Sequence, residues 1–71
     1  MTYTEIYKIV YGFHRQSQKI LAQKGTSPET WEVIANELSA ISQRYANNYL
    51  NELLKLVYIE IARTHKQGKE Q

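Results

Sequence analysis

The sequence predicts an all-α protein, a small three-helix bundle, and three observations predict it. Apolar residues recur three and four positions apart along nearly the whole chain, the spacing of one helix face. Residues suited to starting and stopping helices stand between the periodic runs. The apolar stripe also changes register once, near Ala46-Asn47-Asn48, where the side chains favour a turn. The expected helices cover roughly 2–24, 28–46 and 49–66 of a single 71-residue domain.

The first helix opens on Thr2 with Glu5 three residues later, the spacing of a capping box in which each side chain satisfies an orphan amide. At about 100° per residue, Ile6, Ile9, Val10, Phe13, Ile20 and Leu21 share one arc, with Ser17 among them. The helix should stop at Lys24-Gly25. Glycine accepts the left-handed conformation that closes helices, and lysine suits the negative end of the helix dipole. Gly12, inside this helix, costs about 1 kcal/mol relative to alanine, so close approach of another helix is a candidate reason for it.

A second helix starts at Ser27-Pro28-Glu29. Serine is the cap, proline takes the first helical position where its missing N–H costs nothing, and glutamate meets the positive end of the dipole. Its apolar positions are Trp31, Ile34, Leu38, Ile41 and Tyr45, with Trp31 expected as a lid over the end of the core. The next set, Leu50, Leu53, Leu54, Val57 and Ile61, is rotated from this stripe by about 140°. Two arrangements fit the shift. One is a tight break at Asn47-Asn48 and a separate third helix; the other is a helical hairpin whose second helix runs unbroken for nearly forty residues. The polar end, residues 67–71, is expected to fray.

A chain this short hides only roughly 60 % of the surface its unfolded form exposes, so its core is small. No cysteine is present for a disulfide, and two histidines alone do not make a structural zinc site. Helix packing or self-association must therefore supply the stability, and a dimer is expected. There is no basic leader followed by an apolar run, and no apolar stretch approaches the ~20 residues that span a bilayer. The expected setting is cytoplasmic, away from membranes. Net charge is +2, distributed as blocks of +3 (residues 1–25), −3 (26–54) and +2 (55–71). Attraction between blocks is a hint about which segments are neighbours, worth little per exposed pair.

The third helix carries more apolar side chains than one stripe needs. Leu56 and Ile59 point away from its core set, beside Glu52, Glu60 and Arg63. Three readings fit: a last helix lying in the groove between the other two and covered on both flanks, two stray exposed residues, or an association surface for a second copy or another protein, with the charged residues as its rim. On the first helix Tyr3, Tyr7 and Tyr11 recur every fourth position, continued by His14, next to Lys8, Arg15 and Lys19. Tyrosines of this kind shield a core edge, or form a protein-binding face. Together with the cations they are also what stacking on bases and gripping phosphates would require.

Catalytic constellations are missing from the sequence. Without aspartate or cysteine there is no Ser-His-Asp or Cys-His grouping, the glutamates are scattered, and His14 and His65 have no carboxylate four residues away. The glycines stand singly, so no phosphate loop is formed. No cofactor, no metal and no small-molecule substrate is expected, and the chain reads as noncatalytic.

The run Tyr7–Phe13 (YKIVYGF), Trp31 heading a helix, Arg44-Tyr45 with Asn47-Asn48, and then Leu53-Leu54, Val57, Glu60 and Arg63 resemble small helical proteins encoded by phages and prophages of Gram-positive bacteria. The resemblance implies a host-cytoplasmic setting and an accessory role, binding and modulating or inhibiting a host protein such as a defence nuclease. The expected function is thus a helical protein-interaction module that touches its partner through Leu56, Ile59, Arg63, Tyr7 and Tyr11. The alternative is a small basic nucleic-acid-binding protein using Lys8, Arg15, Lys19 and Tyr11.

Overall fold

A computed structural model describes residues 1–70, with side chains through His65. It contains three helices, α1 (Tyr3–Lys24), α2 (Pro28–Arg44) and α3 (Asn48–Glu70), packed as a bundle 40 × 20 × 17 Å in extent. All three pairs of helices touch. The expected fraying of 67–71 lies outside the residues described in full.

Local signals act where the sequence carries them. The Thr2 hydroxyl accepts from the Glu5 amide while the Glu5 carboxylate accepts from the Thr2 amide at 2.9 Å, a complete capping box. The bond from the Thr2 amide, joined by one the Thr2 hydroxyl donates to the same carboxylate at 3.0 Å, holds the Glu5 carboxyl below its ordinary value of 4.5. The folded pKa is depressed, so this stabilisation is present above the ordinary glutamate range and is lost as pH falls through the folded value. The melting-temperature gap between the parent and Thr2→Ala should therefore narrow on acidification, and a thermal melt series across pH 2–7 checks it. Ser27 caps α2 with Pro28 in its first turn, as expected.

Gly25 ends α1, but not in the left-handed helical conformation. Its φ of 83° is positive while its ψ is −170°, an extended geometry open essentially to glycine alone, and its amide still donates to the Leu21 carbonyl at 2.9 Å.

The chain breaks between α2 and α3, which excludes the forty-residue second helix. Helix α2 stops at Arg44, two residues earlier than expected, because Tyr45 turns extended (φ −121°, ψ 102°). The Asn47 amide then donates to the Tyr45 carbonyl at 2.8 Å, and the Asn47 side-chain oxygen accepts from the Leu50 amide at 3.0 Å. Asn47 is thus the cap of α3. Asn47→Ala should cost about 1 kcal/mol, read as a lower urea midpoint at unchanged slope.

The core consists of Ile6, Phe13 and Leu21 from α1, Ile34 from α2, and Leu50, Leu54 and Ile61 from α3. Ile9, Val10, Ile20, Trp31, Leu38, Ile41, Tyr45, Leu53, Val57 and Tyr58 pack around it, half buried. Ser17 is buried within the α1 stripe where its position put it. Trp31 forms the lid, edge-on to Tyr58 and His65 at ring separations of 6.1 and 6.0 Å. Gly12 behaves differently from expectation: nothing lies within 4 Å of where its Cβ would stand, so no helix approaches it closely. The charge blocks do not become bridges between helices either, since among the described side chains the one ion pair, Arg63 to Glu60 at 3.0 Å, lies within α3.

Candidate interaction surface

With Leu50, Leu54 and Ile61 fully buried, the opposite side of α3 is turned to solvent. At about 100° per residue, Glu52, Leu56, Ile59 and Arg63 fall within an arc of about 60° on that side. Leu56 and Ile59 are each 60 % exposed. Neither α1 nor α2 covers them, so the last helix is not sheltered on both flanks by its own chain. Arg63 donates two hydrogen bonds to Glu60, at 3.0 and 3.1 Å, which holds its guanidinium along the helix surface.

The α1 tyrosines meet α3 at the start of both helices. Tyr3 and Tyr7 stack at 6.5 Å, and Tyr49 of α3 stands edge-on to both, at 5.6 and 6.3 Å. The Tyr7 and Tyr49 hydroxyls are 2.9 Å apart and hydrogen-bonded. That bond raises the Tyr49 pKa above its ordinary 10.0, desolvation adding to it. Tyr7 is therefore both a clasp between helices and an exposed ring. Tyr49 also links the two candidate patches. It precedes Leu56 by two helical turns, about 20° away around the axis, so the tyrosine cluster and Leu56 lie on neighbouring parts of one side. Tyr49 was missing from the expected site. It opens the expected third helix, 49–66, outside the apolar stripe of that helix, and only the packing of α1 against α3 brings it to Tyr3 and Tyr7.

Tyr11 continues the α1 row at 64 % exposure, with no ring partner among the described residues. It stands between Lys8 and Arg15, three residues from one and four from the other, all exposed, with Lys19 one turn further on. These residues form a continuous outward stripe on α1. His14 meets Gln18 at 3.3 Å and no carboxylate.

Other recesses are poor in chemistry. A shallow groove of about 340 Å³ between α1 and α2 runs past Gly12, Gln16, Glu37, Arg44 and Tyr45, with no histidine, serine or threonine in its lining. Among the described residues no group of three or more histidines or carboxylates could hold a metal ion. Among the described residues no helix is long and apolar enough to cross a membrane. No protein-family model, no curated protein and no solved structure matches the chain.

Proposed function

We propose that this protein is a noncatalytic helical interaction module that binds another protein through the outward face of α3. Leu56, Ile59 and Arg63 form the contact; Tyr7, bonded to Tyr49 two turns before Leu56, extends it onto α1, and Tyr11 is the next exposed ring of that row. One observation carries the reading: two large aliphatic side chains, adjacent on one helix face, stay 60 % exposed although the core beneath that helix is closed. Such paired apolar exposure, rimmed by Glu52, Glu60 and Arg63, has the make-up of a protein contact: apolar centre, charged edge. The resemblance to small phage and prophage proteins extends the proposal to an accessory role in a host cytoplasm, where the bound protein would be modulated or inhibited, a defence nuclease being one example.

The double variant Leu56→Asp/Ile59→Asp tests it. Both positions are exposed, so helical circular dichroism should be retained while association, measured by light scattering and by comparative capture against the parent, is lost. Association that persists unchanged in a folded double variant overturns the reading.

The Lys8, Tyr11, Arg15 and Lys19 stripe supports a second reading, nucleic-acid binding, because cations and an aromatic ring are interleaved and all exposed. Binding of fluorescent oligonucleotides that weakens steeply with salt, and is lost on Arg15→Glu, would favour it. The absence of binding at low ionic strength removes it.

A further inference from the structure

We infer that the partner fitting the outward face of α3 is a second copy of this chain, docked antiparallel about a two-fold axis passing between Leu56 and Ile59. The inference rests on the interaction-module reading above and names the occupant of the same surface. Residues 52, 56, 59 and 63 are spaced four, three and four apart, the alternation with which two helices interlock. The order of side chains along this stripe is acid, apolar, apolar, base. Its two halves are therefore complementary end to end: the midpoint between 56 and 59 is also the midpoint between 52 and 63.

Turning a second copy about that midpoint has definite consequences. The two Leu56 and two Ile59 side chains gather into one apolar layer at the axis. Glu52 of each copy comes level with Arg63 of the other, so both ends of the contact carry opposite charges. A parallel pairing in register would instead set Glu52 against Glu52 and Arg63 against Arg63, which is repulsive at both ends. The charge order thus selects one orientation. Self-complementarity of one patch is what a two-fold contact requires.

Sedimentation equilibrium on the full chain should give twice the monomer mass, and Leu56→Asp/Ile59→Asp should give the monomer mass with helicity retained. The reversals Glu52→Arg and Arg63→Glu should each weaken the dimer about tenfold, because the two-fold counts every substitution twice, and combining them should restore it. The chain has no cysteine, so orientation can be read by oxidation. A mixture of Glu52→Cys and Arg63→Cys proteins should form the mixed disulfide in preference to either homodisulfide.

Preferential 52–52 or 63–63 disulfides overturn the antiparallel arrangement. A parent that stays monomeric yet binds a different protein, with binding lost in the Leu56/Ile59 double variant, overturns this inference while supporting the broader interaction-module reading. A monomeric parent with no Leu56/Ile59-dependent binding overturns both.

Discussion

Leu54→Ala should destabilise the fold by about 3 kcal/mol, whereas Leu56→Ala, two positions along the same helix, should change it by no more than about 0.5 kcal/mol. Leu54 has no exposed surface and packs in the centre of the core; Leu56 is 60 % exposed. Truncating Leu54 forfeits its transfer from water and leaves a cavity that the three helices close only in part. Truncating Leu56 removes atoms that water already reaches. A domain of 71 residues commonly has a total stability of only about 4–10 kcal/mol, so the first substitution removes a large share of it. Urea titration of both variants in dilute solution measures the contrast. Equal losses would mean that α3 is rotated from the orientation described, and the outward face would vanish with it.

The two helix-associated glycines should respond to alanine with opposite signs. Gly25→Ala is expected to cost about 1–3 kcal/mol, because φ 83° with ψ −170° is a conformation that a Cβ opposes even where no neighbour touches it. Gly12→Ala should stabilise by up to about 1 kcal/mol: the site is helical, nothing lies within 4 Å of the added methyl, and alanine loses less backbone entropy on folding. Thermal melts of the two single variants should bracket the parent. A Gly12→Ala variant that is less stable than the parent would show that another helix does come close to α1 at that point.

Much of this architecture can be read in the sequence because it is written in local chemistry. Thr2 with Glu5, Gly25, and Ser27 with Pro28 fix three helix ends within a few residues of chain, and each acts through its own backbone neighbourhood. The break at Asn47 is legible only in part: a stripe that rotates by about 140° fits a break and also fits one long helix whose halves face different partners, and the extended Tyr45 decides between them. The same wheel separates Leu56 and Ile59 from Leu50, Leu54 and Ile61, and their exposure agrees with that separation.

Harder to read is whatever depends on distant partners or fine geometry. Tyr49 joins Tyr3 and Tyr7 across more than forty residues of chain, a contact that periodicity within one helix does not encode. The open surroundings of Gly12 depend on how far α2 stands from α1, which no local pattern encodes. The early end of α2 follows from Tyr45 turning extended to let Asn47 reach the first turn of α3. Glycine at position 25 permits a positive φ without imposing one, and the ψ of −170° is not encoded in the residue type.

The placement of Trp31 has a consequence for anyone following this protein by light. It is the sole indole in the chain, and it rests against Tyr58 and His65 on the flank of α3 turned to α2, about half a turn around the axis from Leu56. Its emission will therefore track the closing of the bundle, while staying silent when something lands on the far flank. Assembly must be followed by mass, or by a dye attached elsewhere.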